Sequence, residues 1–250
     1  MTLVRSLLFN VSFSLWTMLI SVLGLPALLV SQRATIWISE LWASVTFWLL
    51  RQIVGLSHEV RGRHNVPEGA VIVALKHQSA WEAIALWVLV KRPAIVLKQS
   101  LTRIPVFGLY MRRGGAIVID RDAGPKALRP MVAAARTAAI QGRPIMIFPE
   151  GTRTREGARQ SYQPGIAALY MQLHLPVVPV ALNSGLFWGR RSFRKRPGKI
   201  LVEFLPPIES GLDRRSFMAE LERRIEEATA LLIAESKRVE NISRATIVAF

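Results

Sequence analysis

The stretch VIVALKHQSAWE, from Val71 to Glu82, decides the fold and contains the first residues suited to chemistry. Its first five residues are apolar and mostly β-branched, without alternation, which is typical of a strand covered on both faces of an α/β sheet. Ser79 is expected to cap a helix, because apolar residues recur at helical spacing behind it. The stretch therefore predicts a buried strand, a turn that carries His77, and a helix.

His77 and Glu82 are predicted to act together as a base and the acid that orients it. Two residues five apart inside one regular helix would point about 140° away from each other. With His77 in the turn and Glu82 in the first helical turn, the carboxylate can reach one ring nitrogen and leave the other facing a cleft. The alternative is a capping box, in which Glu82 only accepts a hydrogen bond from the backbone amide of Ser79.

The composition is that of a basic chain without cysteine. Its 250 residues make one large domain, or a domain and an appendage, and can bury a sizeable core. The lack of cysteine excludes disulfides, thiolate metal sites and cysteine nucleophiles. The formal net charge is +16, and nearly all of it lies after Leu56. This part of the chain is therefore expected to meet an anionic partner.

Residues 1–56 are predicted to form a two-helix module that associates with a membrane. Residues 6–32 carry no charge, over a length that could cross a bilayer as a helix. Pro26 is expected to kink this helix, so a bent or re-entrant insertion is supported as well as a span. Residues 34–54 are amphipathic and contain three tryptophans, which favour the headgroup boundary. The alternative is two core or oligomer helices of a soluble protein.

Residues 57–250 are predicted to form one domain, led in by a polar, turn-rich segment at 56–69. Helices alternate with strands there, which favours an α/β fold with a mostly parallel central sheet and flanking helices. Pro125 is expected in a first helical turn and Gly142 just past a last one. The predicted strands are 71–75, 94–98, 116–120, 144–148, 177–182 and 200–204, and the predicted helices are 80–90, 125–140, 164–172 and 213–237.

The stretch RPIMIFPEGTRTR, at 143–155, joins an apolar strand to a loop that contains glycine and arginine. Loops after strand ends are where open α/β sheets bind ligands. Gly151 allows a close backbone approach, and Arg153 offers a planar fork of donors that suits a phosphate. The alternative is a turn with a surface arginine.

A second basic stretch is AIVLKQSLTRIPVFGLYMRRGGAIVIDR, at 94–121. Lys98 falls at a predicted strand end, where a compact charge could meet a phosphate, and Arg121 follows the next strand. The alternatives are a surface lysine and an Asp120–Arg121 pair.

Four blocks in a fixed order resemble the glycerolipid acyltransferases, and among them most closely the bacterial 1-acyl-sn-glycerol-3-phosphate acyltransferases. These blocks cover most of residues 71–185, whereas residues 186–250 add little to the resemblance. It implies that 57–250 is a catalytic domain of this family. The blocks are KHQSAWE at 76–82, IP-x-F-G-x5-GG-x-IVIDR at 104–121, FPEGTR at 148–153 and VPVALNSG at 178–185.

The resemblance also implies a role for particular residues. His77 matches the general base that deprotonates the free glycerol hydroxyl, and Glu82 stands where the family usually has aspartate. The extra methylene should move the carboxylate by roughly a bond length, through a more distant helix or a looser pair. The implied substrate-binding residues are Lys98, Arg121, Glu150, Gly151, Thr152 and Arg153, with the last on the phosphate of lysophosphatidate.

The implied reaction is direct acyl transfer from acyl-coenzyme A or acyl-carrier protein to the sn-2 hydroxyl of 1-acyl-sn-glycerol-3-phosphate, giving phosphatidic acid in phospholipid biosynthesis. No cofactor is expected, and the histidines show no metal-ligand spacing. Ser79 is expected to be a helix cap and not a nucleophile. The alternatives are acylation of another lysolipid, such as a lyso-ornithine lipid or a different lysophospholipid, and a non-enzymatic basic protein bound peripherally to membranes.

The stretch WGRRSFRKRPGK, at 188–199, carries six basic residues and no acid. Polybasic segments bind anionic lipid headgroups, and the same surface could bind an acidic acyl carrier protein; a solvated loop is the alternative. Nucleic acid is not expected, because no known binding module accompanies the charge. The apolar N-terminus and the family resemblance imply a protein of the bacterial inner membrane. The excess of basic residues in the main domain and the place where acyl thioesters occur imply that the catalytic domain is on the cytoplasmic side.

Overall fold

A computed structural model describes the backbone of residues 1–248 and the side chains of residues 1–239 and 241. It contains a central sheet that is mostly parallel, because of its neighbouring pairs only β6 and β7 run antiparallel. The strands lie in the order β1-β7-β6-β2-β5-β3-β4. They are β1 (Leu56–Arg61), β2 (Ile72–Leu75), β3 (Ala94–Lys98), β4 (Ile117–Ile119), β5 (Ile145–Ile147), β6 (Val177–Leu182) and β7 (Gly198–Phe204).

Helices cover both faces of the sheet, which explains why β2, β5 and β6 consist of buried apolar residues without alternation. One face packs against α1, α3, α4 and α5, and the other against α6, α7 and α8. The predicted α/β class with flanking helices is confirmed. The helices are α1 (Thr2–Leu23), α2 (Leu25–Val30), α3 (Gln32–Leu49), α4 (Trp81–Leu89), α5 (Phe107–Arg113), α6 (Leu128–Ile140), α7 (Pro164–Leu173) and α8 (Arg214–Val248).

Short 3₁₀- and π-helical segments connect several of these elements. A π-helical turn at Leu50–Val54 joins α3 to β1. Gly55, at φ +75°, ends this turn in the left-handed conformation that favours glycine. The 3₁₀ turns are Arg63–Asn65, Gln99–Arg103, Arg121–Ala127 and Ser184–Leu186.

Four parallel neighbours bring the candidate residues to one edge of the sheet. The chain leaves β2 at His77 and β5 at Phe148, while β3 ends at Lys98 and β4 is followed by Arg121. Because parallel strands share their direction, their carboxyl ends meet at the same edge, where open α/β sheets bind ligands. The fold therefore gathers residues that lie up to about 75 positions apart in the chain.

The structure corrects four details of the predicted elements. The first part of 56–69, predicted as a lead-in without regular structure, forms the edge strand β1, which pairs only with β7. Pro125 lies in the 3₁₀ turn before α6 and not in the first turn of that helix, which begins at Leu128. The last helix extends to Val248, eleven residues beyond its predicted end at residue 237. The helix α5 was not predicted, because the glycines around it indicate turns.

The N-terminal helices lie against the sheet domain. The run at 6–32 is interrupted at Gly24, between α1 and α2, where a Cβ would collide with the Tyr110 hydroxyl and with the Ile20 carbonyl. The opposite face of α1 is exposed and apolar, and includes Leu15 and Leu19. By length and composition, α1 is a helix that could cross a membrane.

Candidate active site

His77 sits in the turn after β2, with its ring fixed on two sides. Its Nδ1 lies 2.9 Å from Glu82 Oε1, and its ring stacks on Phe148 with 3.9 Å between centroids. The side chain is 12% exposed, and among the described residues no protein group hydrogen-bonds Nε2. When the carboxylate accepts the Nδ1 hydrogen, Nε2 carries the lone pair and can take a proton. The predicted geometry of a base and its orienting acid is therefore present.

Glu82 makes the contacts of both alternatives, the bond to the His77 ring and the capping bond to the Ser79 amide. Its Oε1 accepts hydrogen bonds from the backbone amides of Gln78 and Ser79 as well as from His77. The bond from Ser79 is half of a capping box, although Ala80 and not Ser79 is the N-cap of α4. Its other oxygen, Oε2, accepts the Ser184 hydroxyl across 2.8 Å. With its side chain wholly buried, the carboxylate is held by four donors.

The block after β6 supplies two contacts that the sequence did not assign to any residue. The first is the hydroxyl of Ser184, and the second is the Gly185 amide, which donates to Gln78 Oε1 across 3.0 Å. Asn183 fixes the same turn, because its Oδ1 accepts the amide of Leu201 in β7. The only sequence signal for these residues is their place in the VPVALNSG block.

Glu150, predicted to bind substrate, uses both carboxylate oxygens inside the protein. Its Oε2 accepts the backbone N–H of His77 across 2.7 Å, and its Oε1 lies 2.8 Å from Lys76 Nζ. The carbonyl of His77 in turn accepts the amide of Thr154 across 2.7 Å. The loop after β5 therefore binds both the backbone N–H and the backbone carbonyl of His77.

Gly151 and Arg121 meet directly. Gly151 has φ +69°, and a Cβ there would lie 2.9 Å from Gln163 Cγ and 3.2 Å from Arg121 Nη1, so the predicted need for glycine has a physical cause. Arg121 donates to the Gly151 carbonyl, and among the described residues no carboxylate pairs with it. The alternative Asp120–Arg121 pair is absent, because Asp120 accepts the Asp122 amide instead.

The other predicted cations lie near the same edge and are accessible. Lys98 is more than one-third exposed, with its Nζ 3.4 Å from Asp122 Oδ1. Arg153 is half-buried, and Thr152 is exposed. Arg121 is exposed as a residue, and partial desolvation lowers the pKa of its guanidinium from the ordinary value. The arrangement can therefore receive an anion.

An apolar cavity of about 440 Å³ opens beside these residues. Phe148 forms part of its wall and also stacks on His77, so the cavity and the imidazole have Phe148 as a common neighbour. The cavity has room for a hydrocarbon portion of a ligand. Its other lining residues include Val96, Ile119, Leu128, Met131 and Ile147, together with the arginines Arg121 and Arg214. Among the described residues, no group of three His, Asp or Glu side chains could hold a metal ion.

Comparison with known proteins gives consistent results. The sequence profile of a family described as Acyltransferase matches residues 57–183. The chain is 34% identical over 194 residues to a 1-acyl-sn-glycerol-3-phosphate acyltransferase of Pseudomonas aeruginosa, with 78% of this chain and 76% of that protein covered. It is 29% identical over 198 residues to the human 1-acyl-sn-glycerol-3-phosphate acyltransferase alpha, with 77% and 69% covered.

A solved structure with a similar fold is the 1-acyl-sn-glycerophosphate (LPA) acyltransferase PlsC of Thermotoga maritima. Its TM-score is 0.78, and the match covers 93% of this chain and 98% of that one. The sequences are 21% identical, so this likeness concerns the fold.

Proposed function

The chain belongs to the Acyltransferase family, and we propose on this premise that it transfers a fatty acyl group from an acyl thioester to the sn-2 hydroxyl of 1-acyl-sn-glycerol-3-phosphate. The product is phosphatidic acid, an intermediate of phospholipid biosynthesis. The observation that carries the proposal is the His77–Glu82 pair, 2.9 Å apart, beside a loop and a set of cations suited to a phosphate. The substrate is supported by the relatives whose names state it.

His77 acts as the general base. As the hydroxyl oxygen attacks the thioester carbonyl, Nε2 takes the hydroxyl proton, and Glu82 stabilises the imidazolium that forms. The tetrahedral intermediate then collapses, its carbon–sulfur bond breaks, and the leaving thiolate takes the proton from His77. The transfer is direct, so no serine nucleophile is needed. Ser79 is fully buried, which agrees with this scheme.

Lys98, Arg121 and Arg153 bind the phosphate and so orient the hydroxyl towards Nε2. Arg121 supports this assignment, because among the described residues it has no carboxylate partner, and a bound phosphate would provide the negative charge that pairs with it. Binding of the phosphate raises the rate, because it holds the hydroxyl close to Nε2 before the reaction begins. Gly151 allows Arg121 to lie close to its backbone, and Glu150 holds the backbone N–H of His77 in place.

The donor is acyl-coenzyme A or acyl-carrier protein, and the polybasic segment 188–199 offers a surface for an acidic carrier or for anionic lipid headgroups. The protein associates with a membrane through its apolar N-terminal helix. We propose that residues 1–56 form the membrane module and that residues 57–250, the catalytic domain, lie on the cytoplasmic side of the bacterial inner membrane. Acyl thioesters are present on that side, which supports the orientation.

The test of this function is a turnover assay with purified protein. Lysophosphatidate is supplied with acyl-coenzyme A or with acyl-carrier protein, and phosphatidate is measured by mass spectrometry. The wild type should form phosphatidate with at least one donor, and His77→Ala should lower turnover by about a hundredfold or more. His64→Ala, which removes an exposed histidine, is the matched control and should keep full activity. Absence of product with both donors, or full activity of His77→Ala, would refute the proposal.

A second assay tests whether these cations bind the phosphate of lysophosphatidate. The double variant Lys98→Ala with Arg153→Ala should raise the KM for lysophosphatidate by about tenfold and leave the KM for the thioester unchanged. An unchanged KM for lysophosphatidate would instead favour a lysolipid without this phosphate, such as a lyso-ornithine lipid, which can be supplied in the same assay.

A further inference from the structure

A buried group of charges links the C-terminal helix to the turn that carries His77. Lys76 is 1% exposed, and its Nζ lies 2.8 Å from Glu150 Oε1 and 2.6 Å from Glu226 Oε1. Glu226 belongs to α8, outside the matched range 57–183 and outside the four sequence blocks. The Tyr162 hydroxyl donates to the same Glu226 oxygen across 3.1 Å. Two acids from distant parts of the chain therefore share one lysine.

A continuous series of polar contacts leads from Glu226 to the backbone of His77. Lys76 holds one oxygen of Glu150, and the other oxygen of Glu150 accepts the backbone N–H of His77. Glu226 is thus connected to the histidine backbone through two intervening side chains, each of which is almost completely buried. Since Lys76 is also the residue before His77, the cluster fixes both the chain entering the turn and the amide within it.

Glu226 gives the buried ammonium of Lys76 a second carboxylate partner. A buried ammonium or carboxylate is costly unless it is paired and hydrogen-bonded. Lys76 has two carboxylate partners, so its ammonium is held between them and its direction towards Glu150 is defined. Without Glu226, the Lys76–Glu150 pair would still balance in charge, but the ammonium would lose the partner that restrains it from the α8 side. The expected consequence is a less rigid turn and not an unpaired buried charge.

We propose that Glu226 is a positioning residue for acyl transfer, which acts through Lys76 and Glu150 to hold the backbone of His77. This inference rests on the proposed function of His77 as the base. It makes α8 part of the support of the active site, although Glu226 itself does not line the cavity beside Phe148. A small displacement of a base lowers turnover without changing substrate binding, because the proton transfer depends closely on geometry.

The variants Glu226→Ala and Glu226→Gln test the inference, with Glu235→Ala as the matched control. Glu235 also lies on α8 and pairs with Arg61 of β1, but its pair is exposed. Glu226→Ala should lower kcat by about tenfold, with the KM for lysophosphatidate and thioester unchanged. Glu226→Gln keeps the shape and an acceptor oxygen, and should lower kcat by about threefold. Glu235→Ala should match the wild type.

Hydrogen exchange at the His77 amide gives a measurement that does not need turnover. This amide donates to Glu150, so loss of Glu226 should speed its exchange by about tenfold, whereas Glu235→Ala should leave it unchanged. If the wild type formed no phosphatidate, the proposed function would be refuted. The exchange rate of the His77 amide could still be measured and would still test whether Glu226 holds the backbone of His77. If Glu226→Ala does not fold, Glu226→Gln carries both measurements, with about threefold changes expected.

Three results would overturn the inference. The first is an unchanged kcat and an unchanged exchange rate in the Glu226 variants. The second is an equal loss in Glu235→Ala, which would mean that α8 contributes only to general stability. The third is a raised KM with unchanged kcat, which would assign Glu226 to substrate binding.

Discussion

Ser184 donates its hydroxyl to Glu82 across 2.8 Å, although the two residues stand 102 positions apart in the chain. This contact joins the block after β6 to the carboxylate that orients His77. It also explains how a glutamate serves where the family usually has aspartate. The longer side chain places one oxygen on the imidazole and the other on Ser184, so the expected looser pair is not observed.

The first prediction concerns the charge of Glu82. Glu82→Gln should lower kcat by about a hundredfold, because a neutral amide does not stabilise the imidazolium that forms when His77 takes a proton. The amide oxygen can still accept from Gln78 and Ser79, so the melting temperature should stay close to that of the wild type. Turnover and thermal unfolding are measured on the same preparation.

Glu82→Asp is the matched control for this variant. It keeps the charge but is one methylene shorter, so it cannot reach both His77 and Ser184 from the same backbone position. Its kcat should fall between those of Glu82→Gln and the wild type. If Glu82→Gln turned over as fast as the wild type, the charge of Glu82 would have no role in catalysis and Glu82 would act only as a helix cap.

The second prediction concerns Ser184 itself. Ser184→Ala removes one of four donors to the carboxylate, and should lower kcat by about tenfold with both KM values unchanged. It should also cost about 1 kcal/mol in the free energy of unfolding, because a buried acceptor loses its partner. Ser192→Ala, in the loop after β6, removes a serine that bonds only within that loop and should not affect turnover. An effect of Ser184→Ala on KM alone would contradict the positioning role.

Local sequence patterns were sufficient for most of the sheet. Six strands were predicted because buried parallel strands read as continuous apolar runs, and β6 is an example. The seventh, β1, contains His58, Glu59 and Arg61, since an edge strand needs only one buried side. Its pairing with β7, nearly 140 residues later, leaves no local signal. Two apolar residues, Leu56 and Val60, separated by polar and charged ones are not enough to indicate a strand.

The candidate site shows the same division between local and distant contacts. The His77–Glu82 pair could be predicted, because five residues across a strand-to-helix turn fix its geometry. Glu150 was predicted from the block that contains it, but its contact with the His77 amide depends on how β5 lies beside β2. Ser184 and Glu226 reach the site only through tertiary packing, so no spacing in the sequence could indicate their partners.

The third prediction concerns the exposed face of α1. Leu15→Gln with Leu19→Gln changes two exposed side chains one helical turn apart, and should weaken binding to anionic lipid vesicles by about tenfold or more, because each buried leucine contributes about 1.5–3 kcal/mol. Since neither side chain is buried in the protein, its fold should be unaffected. Vesicle sedimentation measures the binding.

Leu231→Gln is the control for this pair. It changes a leucine of α8 that is even more exposed, on the other side of the sheet from α1. It should leave vesicle binding unchanged. If the α1 variant bound vesicles as tightly as the wild type, the exposed face of α1 would not be the membrane contact.

The fourth prediction concerns Lys195, which ties the polybasic segment to α1. Its side chain is buried, its ammonium lies over the rings of Phe9 and Trp188, and its Nζ donates to Asn10. Burial lowers the pKa of Lys195 from 10.5 to about 8. Among the described residues no carboxylate pairs with this ammonium, so its buried charge is the least favourable part of the contact at neutral pH.

The sign of the pH dependence follows from this depressed pKa. Below about pH 8 the lysine is protonated in both states, and the folded protein bears the cost of the buried charge. Between about 8 and 10.5 the unfolded chain holds a proton that the folded protein has released, so stability rises with pH. The melting temperature of the wild type should therefore rise by about 5–10 °C relative to Lys195→Met between pH 7.5 and 10. Because the other titrating groups are common to both proteins, their contributions cancel in this difference. A difference that stayed constant over this range would mean that the lysine reaches water.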